Sequence, residues 1–209
     1  MKPLIITALI FISSFLFAID YSVQKVEVLP IDSYPAHITT DDISIAADPY
    51  PDDEKSSKAF DVTNLNSRGF FPIHVIIRND SPYYLKIKTQ NIYLENRLGE
   101  FLYSTPAALV VEDLVGDRYV NSMSSLKDGE RLSDKVATPL SDFTTKALNN
   151  SLIEPGMVQS GFLFFYSEKH KRSLFMGSKL HIPTIEEEGT ERSFGPFVIL
   201  LDPALTESK

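Results

Sequence analysis

Cysteine and tryptophan are both absent from this chain, and glycine is scarce, with nine residues among 209. Without cysteine there can be no disulfide, so the fold has to be held by packing rather than by the cross-links of small secreted domains. The glycines form no phosphate-binding loop, which argues against a nucleotide site, and no cofactor is expected. Hydrophobic residues make up 43% of the chain, enough to bury a sizeable core.

Long apolar runs are also scarce, since only one occurs, at the start of the chain. This run, LIITALIFISSFLFA, ends at Ala18; Lys2 precedes it and polar sequence follows from Asp20. The pattern predicts a signal peptide over residues 1–18, with cleavage after Ala18. An uncleaved anchor is the alternative, because the large Leu16 stands two positions before that point. The run is, however, shorter than the ~20 residues of a spanning helix, and no cysteine follows it for a lipid anchor.

The charge balance is acidic, with a formal net charge of -8 at pH 7. A nucleic-acid partner needs a clustered basic surface and anionic lipid attracts basic segments, so this balance argues against both. Membrane contact is therefore expected only through an uncleaved leader. Together with the signal peptide, these features predict an extracytoplasmic protein that is periplasmic or secreted.

The rest of the chain is patterned mostly as short β-strands. Residues 19–40 are predicted to be extended, residues 41–202 to form a single domain, and residues 203–209 to be a flexible tail. Alternating patterns, as in FFPIHVIIR from Phe70, indicate seven to nine strands joined by turns. The segment QSGFLFFY, which begins at Gln159, is apolar on both faces and predicts a central, covered strand.

A helical insertion from about residue 106 to residue 150 interrupts these strands. Thr105 suits a helix N-cap and Pro106 the first helical position, after which apolar residues recur at helical spacing as far as Leu114. The polar stretch that follows is predicted to be mainly loop, up to a second short helix capped by Ser141. Because so large an elaboration goes beyond what core stability needs, the insertion is expected to provide a partner-specific surface.

Strands that follow one another through turns, with no helix between each pair, favour an antiparallel sandwich over a parallel α/β sheet. We therefore predict a mostly β fold, an antiparallel immunoglobulin-like (Ig-like) β-sandwich decorated by the helical insertion. The cysteine pair and the tryptophan of antibody cores are excluded by composition.

Two segments carry a further resemblance. Residues 69–102 contain FFPIHVIIRNDSPYYLKIKTQNIYLENRLGEFL, in which a buried strand, an Asn-Asp-Ser turn and a second strand precede a glycine turn. Residues 153–165, IEPGMVQSGFLFF, place a Pro-Gly turn before an apolar strand. This combination is similar to the Ig-like β-sandwich domains of unknown function found in exported bacterial envelope proteins. The resemblance implies an Ig-like fold and an envelope location, and it implies no active-site residue.

Residues with catalytic or metal-binding chemistry are scattered along the chain. Four histidines occur without the spacing of a metal site: His37, His74, His170 and His181. His74 lies within a predicted strand and is expected to be half-buried or on the sheet surface. No serine lies in a G-x-S-x-G elbow and no EF-hand loop occurs, so the motifs indicate neither a hydrolase nor a calcium site.

Two sets of residues are candidates for contact with a partner. One is a basic run between two predicted strands of an otherwise acidic chain: Lys169, His170, Lys171 and Arg172. This run is interpreted as a solvated loop or as a contact for an acidic partner. The other set is Tyr83 and Tyr84, which follow the Asn-Asp-Ser-Pro turn. Strand alternation predicts that one of these tyrosines packs in the core while the other is exposed.

The sequence is therefore interpreted as an exported, non-catalytic protein-binding or assembly module of the bacterial cell envelope, with an envelope protein as its partner. Two alternatives stay open. A small envelope hydrolase would have its site between the insertion and the sandwich, lined by carboxylates or a Ser–His pair. A carbohydrate-binding module would need a row of exposed aromatic side chains on one face of a sheet.

We expect the exported chain to begin at Ile19, because Ala18 provides the small residue at the end of the apolar run. Intact-mass measurement on protein extracted from the cell envelope tests this prediction. A mass equal to that of all 209 residues would contradict cleavage and support the uncleaved anchor.

Overall fold

The structure, a computed structural model, describes residues 21–114, 133–169 and 174–206. The predicted signal peptide and the last three residues of the predicted tail lie outside the described residues. Within the described ranges the protein is mostly β, as predicted. No helix in these ranges is both long and apolar enough to cross a membrane.

Twelve strands occur in the described part of the chain: β1 (His37–Thr40), β2 (Ile43–Pro49), β3 (Phe70–Asn79), β4 (Leu85–Ile87), β5 (Tyr93–Glu95), β6 (Phe101–Thr105), β7 (Leu152–Ile153), β8 (Val158–Tyr166), β9 (Lys179–Ile182), β10 (Ile185–Glu187), β11 (Ser193–Phe194) and β12 (Phe197–Leu200). The helices are α1 (Asp53–Ala59), α2 (107–114), α3 (Ser133–Lys146) and α4 (Asp202–Thr206). Both α2 and α3 lie between β6 and β7, within the predicted helical insertion.

The strands form two antiparallel sheets. Eight strands pair in the order β1-β2-β3-β8-β6-β5-β9-β12, and four pair in the order β11-β10-β4-β7. The larger sheet curls until its end strands, β1 and β12, lie next to each other, so that it is nearly closed and barrel-like. Every ladder between the described strands is antiparallel, which confirms the predicted strand direction.

The longest ladder joins β3 to β8 and forms the middle of the larger sheet. It extends from Phe70 opposite Tyr166 to Arg78 opposite Val158. Side chains alternate between the two faces of the sheet, and β3 and β8 are apolar on both faces. Each face of this ladder therefore packs into a different hydrophobic core. β8 also pairs with β6, which confirms the central, covered position predicted from its sequence.

The inner core lies on the concave side of the larger sheet and includes the apolar side chains of the smaller sheet. β3 and β8 contribute Phe71, Ile73, Val75, Ile77, Leu163 and Phe165. The smaller sheet contributes Leu85, Ile87, Ile153 and Ile185. Lys86, between two of these buried residues, is exposed, and this is the alternation that the sequence predicts for β4.

The outer core lies between the opposite face of the β3–β8 ladder and the helices. The ring of Phe60, just after α1, is 4.9 Å from Phe162 and 5.5 Å from Phe164. Phe143 of α3 lies 4.2 Å from Phe60, and Val110 of α2 is fully buried in the same cluster. Each of these side chains contributes roughly 2 kcal/mol through burial. The helical insertion is therefore a structural layer of the fold.

The described residues form more strands than the seven to nine predicted, and they form helix in two segments predicted to be loop or tail. α3 begins at Ser133, eight residues before the predicted cap at Ser141. The prediction missed this start because Pro139 and the polar residues around it conceal the helical pattern. Asp202–Thr206, which include the start of the predicted tail, form α4. Ala204 packs against the inner core, and the Asp202 carboxylate accepts a 2.8 Å hydrogen bond from the backbone of Gly177.

Asn79, at the end of β3, connects the two turns that carry the Ig-like resemblance. Its side-chain nitrogen donates to the carbonyl oxygens of Tyr83 (2.7 Å) and Ile153 (3.0 Å). Its side-chain oxygen accepts hydrogen bonds from Ser81, and its backbone carbonyl accepts one from Gly156 at 2.6 Å. One fully buried asparagine thus holds the Asn-Asp-Ser turn against the Pro-Gly turn.

Gly161 of β8 lies against the backbone just beyond α3, where the Leu148 N–H donates a 2.9 Å hydrogen bond to the Phe162 carbonyl. A Cβ at position 161 would stand 2.5 Å from both the nitrogen and the Cα of Leu148. We expect Gly161→Ala to lower the free energy of unfolding by about 3 kcal/mol, because two backbone segments would have to separate. Chemical denaturation measures this change.

The matched control is Ser160→Ala, because Ser160 directly precedes Gly161 on β8 and is half-buried rather than buried. This variant is expected to change the free energy of unfolding by less than about 1 kcal/mol. A Gly161→Ala protein as stable as the control would contradict the close approach of α3's end to β8.

Candidate functional site

The outer surface of four neighbouring strands in the larger sheet carries exposed aromatic and apolar side chains. We call this surface the aromatic face and define it by eight residues of β5, β6, β9 and β12: Tyr93, Glu95, Phe101, Tyr103, Lys179, His181, Val198 and Leu200. The residues that alternate with them, such as Leu94 and Leu180, belong to the inner core. The pleat of a half-buried sheet therefore places all eight on the outer side.

Strand register arranges the aromatic face in two rows that cross the four strands in the order β6-β5-β9-β12. The first row is Tyr103, Tyr93, His181 and Val198. The second row is Phe101, Glu95, Lys179 and Leu200. Each row has an aromatic or aliphatic side chain at both ends. The middle of the first row is Tyr93 stacked on His181, and the middle of the second is the pair of Glu95 and Lys179.

The aromatic residues of β6 are unusually open to solvent. Phe101 is 61% exposed and Tyr103 is 62% exposed, although both are large and on adjacent outward positions of one strand. Both lie beside Tyr93, whose ring centroid is 5.3 Å from that of Phe101 and 5.9 Å from that of Tyr103. The three rings form a continuous patch in which Phe101 and Tyr103 are exposed and Tyr93 is half-buried, and exposed apolar patches on a folded protein commonly mark interaction sites.

The middle of the aromatic face is a compact polar cluster on Glu95. One carboxylate oxygen of Glu95 lies 2.7 Å from Nε2 of His181, and the other lies 3.7 Å from Nζ of Lys179. The His181 ring also stacks on Tyr93, with centroids 4.6 Å apart and an angle of 9° between the planes. These contacts hold the polar side chains in place between the two apolar ends of the rows.

The turn between β5 and β6 fixes the position of the exposed rings. The Asn96 side-chain oxygen accepts hydrogen bonds from the backbone of Leu98 (2.9 Å) and Glu100 (3.0 Å), and Gly99 adopts a φ of 78°. Only glycine enters this left-handed region without strain, so the sequence Asn-Arg-Leu-Gly specifies a tight hairpin. β5 and β6 pair across this turn, which presents Phe101 directly after it.

The contact residues predicted from the sequence lie elsewhere. Lys169 is exposed just after β8, whereas the other three residues of the basic run, His170, Lys171 and Arg172, lie outside the described residues. Tyr83 is half-buried beneath the Arg192 guanidinium, 4.5 Å from its ring centroid, and Tyr84 is 49% exposed. The predicted division between one packed and one exposed tyrosine is therefore confirmed. Both tyrosines precede β4 of the smaller sheet and do not belong to the aromatic face.

His74 differs from its predicted half-buried position, because it is only 3% exposed on the outer side of β3. Its ring stacks on Phe162 at 4.7 Å. The pKa of His74 is lowered to about 4, chiefly by burial; the Asp48 carboxylate opposes this shift and the Lys55 cation adds to it. Lys55 in turn forms a 2.5 Å ion pair with Asp48, the residue opposite His74 on β2. The cluster joins α1 to the sheet.

The space between the helical insertion and the sheet is filled by packed side chains. Its aromatic members are the phenylalanines of the outer core, and its main polar group is Asp142, which is buried against Lys146 at 2.8 Å. The Tyr21 hydroxyl donates a 2.6 Å hydrogen bond to Asp142, and burial raises the pKa of this tyrosine. Among the described residues, no three histidine, aspartate or glutamate side chains are grouped to hold a metal ion.

Comparison with known proteins identifies no relative: no family model, no curated protein and no solved structure matches the chain. The candidate site therefore rests on geometry alone.

The sequence shows only the alternation of the β5–β6 hairpin, which is one part of the aromatic face. In the β5–β6 hairpin, Tyr93 alternates with Leu94 and Tyr103 with Leu102, which separates aromatic residues on one side from leucines on the other. This pattern does not say which side faces the core. Only the closure of the larger sheet brings β9 and β12 beside the hairpin and completes the face.

We expect the stability of the protein to fall as the pH is lowered from about 6.5 to about 4, because unfolded His74 binds a proton that the buried residue excludes. The loss amounts to roughly 3 kcal/mol at ~1.4 kcal/mol for each pKa unit. Urea denaturation across this range should show a shallower pH dependence for His74→Gln than for the unaltered chain.

His37→Gln is the matched control, since His37 lies exposed on β1. Its pH profile should follow that of the unaltered chain. Identical profiles for all three proteins would contradict the burial of a neutral His74.

Proposed function

We propose that this protein is a non-catalytic protein-binding or assembly module of the bacterial cell envelope, and that it binds its partner through the aromatic face. The observation that carries the proposal is the pair of neighbouring aromatic side chains on β6, Phe101 and Tyr103, each more than half exposed. The fold does not need large apolar groups at outward positions, because its inner and outer cores are complete without them.

The composition of the aromatic face suits a protein interface. Tyrosine and phenylalanine are enriched at the centres of such interfaces, where rigid rings bury a large area at a small entropy cost. Covering Phe101 and Tyr103 would contribute roughly 2 kcal/mol each. The charged pair of Glu95 and Lys179 between the apolar ends adds specificity, because a partner with misplaced charges would be rejected.

Ring geometry favours a protein over a sugar as the bound partner. A sugar-binding platform offers aromatic faces that lie in a common plane, so that pyranose rings can stack along it. Here the Tyr93 plane makes angles of 88° with Phe101 and 52° with Tyr103. These tilted rings form ridges, which suit interdigitation with side chains of another protein. A carbohydrate-binding role is therefore the second candidate, supported by the exposed aromatic row itself.

The hydrolase alternative has less support. It requires an open site between the helical insertion and the sheet, and the described residues there are the packed outer core and the Asp142–Lys146 ion pair. The insertion also has a structural reason to exist, because it covers the β3–β8 ladder. We therefore assign partner recognition to the aromatic face rather than to the insertion.

The envelope location and an Ig-like relationship belong to the same proposal. The predicted signal peptide supports export, and the turn motifs support the relationship, since Asn79 joins both of them in one hydrogen-bonded unit. The nearly closed larger sheet would then be a variation on the open sandwich of Ig-like domains.

We expect the double variant Phe101→Ala, Tyr103→Ala to lose an envelope partner that the unaltered chain retains, because both exposed rings are removed without touching either core. In-cell crosslinking of the tagged chain, followed by mass spectrometry, measures the recovery of partners. We expect at least a tenfold decrease, equivalent to about 1.4 kcal/mol of binding free energy or more.

The matched control is Tyr84→Ala, which removes an exposed tyrosine just before β4 of the smaller sheet. It should leave recovery unchanged. Equal recovery with all three proteins would contradict the proposed role of the aromatic face, and specific binding to an array of envelope glycans would favour the carbohydrate alternative.

A further inference from the structure

We infer that the partner of the aromatic face is a second copy of this chain, packed face to face about a two-fold axis that runs along the strands between β5 and β9. The inference rests on the proposed function, because it assumes that the aromatic face is a contact surface. It adds the identity of the occupant and the symmetry of the contact.

The argument begins with the order of residues across the face. A two-fold axis between β5 and β9 places β6 of one copy against β12 of the other, and β5 against β9. In the second row, Phe101 then meets Leu200 of the second copy, and Glu95 meets Lys179. Apolar groups are thereby matched with apolar groups, and the acid with the base.

The first row obeys the same symmetry. Tyr103 meets Val198 of the second copy, and Tyr93 meets His181, the residue on which it already stacks within its own chain. An isologous interface requires a surface to be complementary to itself after rotation, and both rows meet this condition. The strand directions of two sheets packed face to face differ by about 30°. The pairing of residues across the interface is therefore closest near the two-fold axis.

Charge supports the same occupant. The chain has a formal net charge of -8, so two copies repel each other over most of their surfaces. The aromatic face contains one acid, Glu95, and one permanent cation, Lys179, 3.7 Å apart. It is therefore a neutral region on which two acidic molecules can approach. In the dimer each Glu95 gains a second lysine and each Lys179 a second carboxylate.

The size of the contact sets the expected affinity. Eight side chains from each copy are fewer than the 20–30 residues a side of a standard interface. We therefore expect a dissociation constant on the order of 10 µM, measurable by analytical ultracentrifugation between about 1 and about 200 µM. The envelope, where an exported protein is concentrated and confined, would favour such a dimer.

Charge reversal tests the symmetry directly. In the E95K variant, the two lysines of one copy face the two lysines of the other. In the K179E variant, two carboxylates face two carboxylates. Each variant alone should therefore self-associate at least tenfold more weakly than the unaltered chain. An equimolar mixture of E95K and K179E should recover association, because every cross-interface contact then joins opposite charges. Circular dichroism and thermal unfolding of each variant verify that it is folded.

Two charge reversals away from the aromatic face are matched controls: E191K and K25E, both at exposed positions. Neither should weaken association, and their mixture should gain nothing beyond the unaltered chain. Recovery in the E95K and K179E mixture alone supports the inference. Association that is insensitive to E95K, K179E and F101A, or a mixture that fails to recover, overturns it.

The failure of this inference can be told apart from failure of the proposed function. A chain that stays monomeric up to about 200 µM, while in-cell crosslinking through Phe101 and Tyr103 recovers a different protein, overturns the dimer and retains the binding face. A monomeric chain with no crosslink dependent on these residues overturns both.

Discussion

The pairing of β3 with β8 is the constraint on which the rest of the structure depends. These strands are apolar on both faces, so a stable fold has to cover both. The larger sheet covers one face by curling around the inner core. The helical insertion covers the other through Phe143 and Val110, and Gly161 lets the end of the insertion approach the β8 backbone. The two coverings replace the disulfides that a cysteine-free chain lacks.

This arrangement explains why an apolar surface remains exposed. Among the described residues, the helices pack on the outer side of the sheet along the β3–β8 ladder and at the end of β2. On the far side of the nearly closed sheet, β5, β6, β9 and β12 contribute their inward residues to the inner core and leave their outward residues to solvent. Polar residues at Phe101 and Tyr103 would satisfy the fold equally well. Their aromatic rings therefore point to an interaction with another molecule.

Local patterns predicted much of the fold. The strands, the hairpin at Gly99, the central position of β8 and the presence of helices after Thr105 all follow from spacing and turn chemistry. The full length of α3 did not, because Pro139 lies within a helix that tertiary packing stabilises. The aromatic face could not be predicted, since its rows join residues far apart in sequence and depend on sheet closure. The burial of His74 depends on the outer core in the same way.

The claim that the aromatic face is the working surface can be tested most directly by oxidative footprinting of its side chains in living cells and in dilute purified protein. Phe101 and Tyr103 should be modified readily in the dilute protein and be protected in the cell envelope. Tyr84, exposed just before β4 of the smaller sheet, should be modified similarly in both and serves as the internal reference. Equal modification of Phe101 and Tyr103 in both settings, relative to Tyr84, would contradict the claim.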